Sequence, residues 1–298
     1  MDEHEWLAKR FEEHRGRLRA VAYRMLGSLA DADDAVQDTW LRLSKTDADE
    51  VDNLGGWLTT AVARVSLNML RARNTRREEP LETYVPDPLV RRQDESDPAS
   101  EALLADSVSL ALLVVLETLT PPERLVFVLH DLFGMPFDEI APIVARTPAA
   151  ARQLASRARR RVKGAEVHPR DFDPQRQRRV VDAFFAATRE GDFGALVAVL
   201  HPDVVLRIDG GVAFPAASMI VRGASAVARQ SSRGMKSVLA RADTEVHPAV
   251  VNDAAGVIIT IADKAMTVIG FTFMDGKIIE INSISDPARV DAVTNDRR

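Results

Sequence analysis

Six basic residues, Arg152, Arg157, Arg159, Arg160, Arg161 and Lys163, crowd a stretch that opens with Thr147-Pro148. Between Thr147 and Arg179 stand ten basic residues against three acidic ones. Each phosphate that such a patch neutralises releases condensed counterions, which supplies salt-dependent attraction to DNA. A solvated basic helix end carries the same charge, so the context decides. Thr147 is an expected N-cap and Pro148 an expected first helical residue, and a short helix opening at Pro136-Phe137-Asp138-Glu139-Ile140 precedes them. Two helices joined by a short turn, the second basic, outline a helix-turn-helix. In that outline the helix start, with Thr147, Ala149, Ala151, Arg152 and Ser156, faces base edges. The later arginines, Arg157, Arg159 and Arg160, hold phosphates.

A second basic cluster closes an earlier helix. Arg64, Asn68 and Arg71 are spaced four and three apart and share one face, and Arg73, Arg76 and Arg77 follow. Cations at a helix C-terminus are also favoured by its dipole, so charge alone leaves nucleic-acid and structural readings open. Asp31-Ala32-Asp33-Asp34 poses the opposite question. Acids at a helix start need no metal; Asp31, Asp34 and Asp38 instead form an acidic stripe opposite Val36, Trp40 and Leu43, suited to a protein partner. His201, Asp209, His247 and Asp263 are candidates for acid–base work. His201-Pro202-Asp203 and His247-Pro248 read as turns, however, and no nucleophile–base pair has a recognisable spacing, so no catalytic residue, metal or cofactor is expected.

The elements that must position these residues follow from composition and periodicity. The 298 residues are 46% hydrophobic and 28% charged, with mean hydropathy −0.11. That profile suits a folded chain of two or three units. Absence of cysteine removes disulfides and thiolate chemistry. A net charge of −5 argues, on average, against nucleic acid, but the average conceals the local patches. The polar start lacks a secretory signal, and the apolar stretches Leu110 to Leu116 and Gly256 to Ile261 are too short to span a bilayer. A cytoplasmic location is expected.

Residues 1–77 read as helical throughout, with Gly27-Ser28 stopping the first helix. Residues 78–100 are acidic and proline-punctuated, a linker in composition. Residues 101–167 form a second helical unit that ends in the basic helix. Residues 168–298 begin with a helix from Gln175 to Arg189. Strand-like runs then follow at Val204 to Ile208, Ala249 to Asn252, Val257 to Ile261, Thr267 to Met274 and Ile278 to Ser283. Asp275-Gly276 marks a hairpin between the last two. The fold class is multidomain: two all-α domains, the second a helix-turn-helix, and an α+β domain with a curved antiparallel sheet.

Several of these segments together resemble a known family. Asp31-Ala32-Asp33-Asp34-Ala35-Val36-Gln37-Asp38-Thr39-Trp40-Leu41-Arg42-Leu43 resembles region 2 of the extracytoplasmic-function (ECF) bacterial sigma factors, and Trp57-Leu58, Ala63-Arg64, Asn68 and Leu70-Arg71 continue it. Leu119-Thr120-Pro121-Pro122-Glu123-Arg124, Phe137-Asp138-Glu139-Ile140-Ala141 and Ala150-Ala151-Arg152 with Ser156-Arg157-Ala158-Arg159-Arg160 resemble region 4. The resemblance implies that the Asp31 to Leu43 helix, with Asp31, Asp34, Gln37, Asp38 and Trp40, docks on the coiled coil of the RNA polymerase β′ subunit. It implies that the Thr46 to Asn53 loop and the helix carrying Arg64, Asn68, Arg71, Arg73 and Arg76 bind and open the −10 element of promoter DNA. The Thr147 to Lys163 helix then reads the −35 element.

The last segment resembles a SnoaL-like, NTF2-like cone, and ECF factors with this extension form the SigJ-like group. That group carries a Trp-Leu-Pro-Glu-Pro linker motif and an Asp-Gly-Gly-Gly-Lys motif. Tyr84-Val85-Pro86-Asp87-Pro88 and Asp209-Gly210-Gly211-Val212 are partial equivalents. The group implies that the extension replaces a separate anti-sigma factor and controls activity in cis. A further expectation, added to what the group implies, is that Pro86, Asp87 and Pro88 meet Asp209, Gly210 and Gly211. Cones of this type also admit a small-molecule ligand, for which Met219, Met235, Met266 and Phe271 are candidate lining, although apolar core is their default role. The rival reading is a cone-domain enzyme or small-molecule sensor fused to a helix-turn-helix regulator.

Overall fold

The first two helices turn on a glycine. Gly27 adopts φ +68°, and Ser28 then caps the next helix by accepting from the Asp31 amide at 3.4 Å. In this computed structural model, which describes residues 3–45, 53–75, 83–92, 108–164 and 173–295, the flanking helices are α1 (Glu3–Leu26) and α2 (Leu29–Leu43). Helix α3 (Leu54–Thr75) packs on both. Their apolar faces, including Leu18, Met25, Leu43, Leu58 and Leu67, are fully buried. Removing such faces from water is the main driving term for this packing.

Packing divides the chain into two units: Met1–Glu79 with Val115–Glu166, and Pro80–Val114 with Val167–Arg298. The first unit therefore continues from α3 into the end of α4 (Leu110–Glu117), then α5 (Pro121–Phe127), whose last turn runs into a short π-helical turn at Val128–Leu132. Next come α6 (Phe137–Ile140) and α7 (Pro148–Gly164). Arg124 on α5, only 2% exposed, donates its Nε to the Arg24 carbonyl at 3.0 Å and pairs with Glu117 at 2.7 Å. One guanidinium thus satisfies the end of α1 and the end of α4.

The second unit contains β1 (Val90–Arg92), the start of α4, and then α8 (Pro174–Glu190), α9 (Phe193–Val199), β2 (Leu200–Asp209), β3 (Met219–Arg222), α10 (Ala224–Gly234) and α11 (Lys236–Leu239). It ends with β4 (Thr244–Val251), β5 (Ala254–Ile261), β6 (Lys264–Met274), β7 (Lys277–Ile284) and α12 (Pro287–Asn295). One sheet runs β1-β4-β5-β6-β7-β2-β3. Register shifts in β2, β5–β6 and β6–β7 bend it. Its concave face closes on Phe184 and Phe185 of α8, which meet Phe271 of β6 edge to face.

Three sequence expectations change here. The composition of 78–100 suggests a bare linker, yet Val90–Arg92 pairs with Ala249 to Val251 as an edge strand. The sheet is antiparallel except that β2 runs parallel to β7, because α8 to β2 precede the β4 to β7 meander and add to its far side. His201-Pro202 and His247-Pro248 are strand residues rather than turns. Pro202 is tolerated at a break in pairing, where a register shift separates Leu200 from Val205.

Candidate nucleic-acid interface and linker clasp

Thr147 starts α7 by accepting the Ala150 amide on its hydroxyl at 3.2 Å, and its carbonyl receives the Ala151 amide. Pro148 fills the first helical position, where a missing N–H costs nothing. Ala151, Ala155 and Ala158 are fully buried, so α7 seats a stripe of small residues on its own unit. Thr147, Ala149, Arg152, Ser156, Arg157 and Arg160 lie exposed. The guanidinium of Arg152 sits 5.7 Å from the Phe137 ring, a contact that keeps the side chain extended over α6.

Not every arginine of α7 is equally available. Arg157 and Arg161 both pair with the buried Glu123, at 3.2 and 2.9 Å, and Arg159 pairs with Asp131 at 2.6 Å. Burial pushes the Glu123 carboxyl up. Hydrogen bonds from the Thr120 hydroxyl and amide, with the charges of Arg161 and Arg157, outweigh that and hold it below the ordinary glutamate value.

On α3, Arg64, Asn68 and Arg71 are exposed. Arg73 is committed inward, donating to the Leu26 carbonyl at 3.1 Å and pairing with Asp31 of α2. Asp34, Gln37 and Asp38 line the outer side of α2, while Trp40 stacks obliquely on Phe11, ring centres 5.1 Å apart. Arg71, Arg146 and Arg157 line one cavity of about 380 Å³ within this unit, so α3 and α7 turn basic residues toward the same space.

The second unit holds the other cluster. Val85 donates its amide to Asp209 Oδ2 at 2.9 Å. Arg289 of α12 donates Nε to Asp87 Oδ1 and an Nη1 proton to Asp209 Oδ2, each at 2.7 Å, and reaches the Val85 carbonyl. Its guanidinium lies 4.9 Å from the Tyr84 ring. Asp209 Oδ1 accepts the Gly211 amide at 2.9 Å. A few residues on, Leu89 and Asn252 exchange two hydrogen bonds, and the Asn252 amide group donates to the Val108 carbonyl. Burial alone would push Arg289 down; Asp87, Tyr84 and Asp209 outweigh it and hold the guanidinium above its ordinary value.

The Sigma-70 region 2 family matches residues 10–76, and Sigma-70 region 4 matches residues 109–162. The ECF RNA polymerase sigma factor SigJ of Mycobacterium tuberculosis is 42% identical over 220 residues, 74% of this chain and 70% of that protein. A probable ECF sigma factor of the same organism, SigI, is 32% identical over 297 residues, covering 98% and 97%. The crystal structure of the Mycobacterium tuberculosis SigJ superposes with TM-score 0.72 at 34% identity, over 95% of this chain and 97% of that one.

The chain is an ECF RNA polymerase sigma factor. It is of the SigJ group, an alternative sigma factor that directs RNA polymerase to promoters.

Within this sigma factor, two residues expected at DNA are engaged by the fold itself. Ala151 is 0% exposed: it belongs to the buried alanine stripe, and one residue on a helix is a rotation of about 100°. Arg73 is held by Asp31 and the Leu26 carbonyl, while Asp33, Asp34 and Asp38 are the exposed acids of α2, Asp33 paired with Arg19. Arg76, Arg77 and the loop from Thr46 to residue 52 fall outside the described residues. His201, His247 and Asp263 are not brought together: His247 meets Thr260 at 2.9 Å, and Asp263 sits in the β5–β6 turn at φ +63°. Among the described residues no cluster suits a metal, and no helix is long and apolar enough to cross a membrane. The sequence reading missed Arg289. Its only local signal is the Asp286-Pro287 helix start, where Asp286 Oδ1 accepts the Ala288 and Arg289 amides.

Proposed function

We propose that this cytoplasmic sigma factor carries its own regulator, with the second unit governing promoter recognition by the first. Asp34, Gln37, Asp38 and Trp40 of α2 dock on the β′ coiled coil of the polymerase. Arg64, Asn68 and Arg71 of α3 engage the −10 element, together with Arg76, which follows α3 in the sequence. In α7, Thr147, Ala149, Arg152 and Ser156 address −35 base edges, and Arg157, Arg159 and Arg160 address phosphates. The polymerase supplies the chemistry, and the cone acts as a regulator rather than an enzyme. Asp209 already accepts three bonds, from Val85, Arg289 and Gly211, which leaves it a poor general base.

The observation that carries regulation is the shared cavity of Arg71, Arg146 and Arg157. The −10 and −35 elements lie about 25 base pairs apart, on the order of 85 Å at 3.4 Å per pair. Helices that turn arginines into one cavity face each other rather than two separated elements, which supports reading this as a resting state that opens on promoter binding. The linker between the two helical segments is what opening must move, and Arg289 clasps it through Asp87 and Val85.

The test is run-off transcription with core polymerase and the full chain, native or R289A. Promoter-dependent transcript is expected from both, with output changed at least threefold by the variant at unchanged core affinity. Equal output from the two would overturn regulation by the clasp. Absence of any promoter-dependent transcript would overturn the assigned DNA faces.

A further inference from the structure

Phe184 and the strands β2, β5, β6 and β7 line a pocket of about 320 Å³ in the second unit, open to solvent on one side, with Met235 and Val238 along another. The volume lies within the range of small-molecule sites. Its walls are apolar: Leu206, Ile208, Ile259, Ile269, Ile281 and Met266. Of the four residues expected to line a pocket, Met235 and Met266 do, whereas Phe271 belongs to the packed core and Met219 lies on β3 outside the lining.

None of the described residues lining the cavity is ionisable. A charged guest would lose its hydration with no counter-charge to replace it, and no lining group has the acid–base character needed for proton transfer. Polarity is confined to Gln230, Ser231, Thr267, Ser283 and Ser285. Thr267 and Ser285 share one hydrogen bond at 3.0 Å, and each hydroxyl keeps further bonding capacity.

The cavity shares its strand ends with the clasp. Ile208 lines it and Asp209 follows; Ser285 lines it and Asp286 follows. The Ser285 amide donates to the Asp209 carbonyl at 2.8 Å. Phe214 lines the mouth, and its amide donates to the Gly210 carbonyl at 3.0 Å. A Cβ on Gly210 would lie 2.1 Å from the Phe214 carbonyl oxygen, and one on Gly211 would lie 2.2 Å from Asp286 Oδ2. The backbone at Gly210 and Gly211 is closely packed, so a guest that displaces Phe214 or spreads β2 from β7 also moves the carboxylate that holds Val85 and Arg289.

We propose that the cone binds an uncharged, largely apolar small molecule with one hydroxyl- or carbonyl-bearing end, and that its occupancy sets the strength of the linker clasp. The second half rests on the regulatory reading above; the first does not.

The test uses the full chain and two fluorophores of one skeleton: neutral N-phenyl-1-naphthylamine and its sulfonate, 1-anilinonaphthalene-8-sulfonate. Saturable binding of one neutral probe per chain is expected, with the anion at least tenfold weaker. M266W, which fills the cavity, should weaken neutral-probe binding at least tenfold; V238W serves if that variant does not fold. Lack of saturable binding, or binding unaffected in a folded filled variant, overturns the site. Equal affinity for the anion overturns the ligand class. For the coupling, saturating neutral probe should change hydrogen exchange at the Val85 amide at least threefold. By linkage, R289A should then shift the probe Kd. Unchanged exchange and an unshifted Kd overturn the coupling. These readouts do not involve transcription, so their failure leaves regulation by the clasp standing.

Discussion

Arg289 donates a 2.7 Å hydrogen bond to Asp87, a residue 202 positions earlier in the chain. Few single contacts span so much sequence, and this one ties the last helix to the linker that separates the two sigma regions. The same guanidinium reaches Asp209, so one cation bonds two carboxylates. R289A takes a charge-assisted bond from each of these buried groups and should lower the stability of the second unit by about 3 kcal/mol, read from urea denaturation of the full chain. R289K should recover only part of that, because an ammonium cannot bond two carboxylates in the planar fork geometry.

Glu123 predicts a pH dependence. Its carboxyl is held below the ordinary glutamate value in the folded chain, so the stability it contributes is fully present above the unfolded value of about 4.3. That contribution is lost as pH falls through the lower, folded value. E123Q should cost about 1–3 kcal/mol near neutrality and flatten the fall in thermal stability below about pH 4.3. An acid profile identical to the parent's would contradict this.

Arg152 is exposed on α7 beside Phe137. If it reads a base pair through two hydrogen bonds, R152A should lose about 1–3 kcal/mol of discrimination at one −35 position. Competition binding of holoenzyme to promoter variants measures it. A loss uniform across sequences would place the side chain on phosphate instead.

Gly210 approaches the Phe214 carbonyl so closely that a methyl has no space. G210A must open the Asp209 loop and should destabilise the second unit by about 1–3 kcal/mol. Exchange at the Val85 amide should rise with it, which separates loop opening from general loss of fold.

The helical half was legible because its signals are local. Gly27-Ser28, Thr120-Pro121 and Thr147-Pro148 mark helix boundaries through capping and fixed φ, and apolar spacing marks the buried faces. Orientation within a helix was less legible: Ala151 is a small residue that suits either face, and only the packing of α7 places it inside. The clasp was half legible. Asp87 and Asp209 stand in recognisable motifs, but nothing near Arg289 in sequence marks its partners. Strand β1 was hidden for the same reason, since Val90, Arg91 and Arg92 become a strand only by pairing with Ala249 to Val251. The parallel pairing of β2 with β7 likewise depends on the order in which distant strands join the sheet.

That short strand has a further consequence. Ala249 to Val251 would present unpaired amides and carbonyls along the sheet edge if β1 left it, and open edges recruit strands from other molecules. The linker is therefore also an edge guard. A chain with that strand released would present an open sheet edge and be prone to self-association.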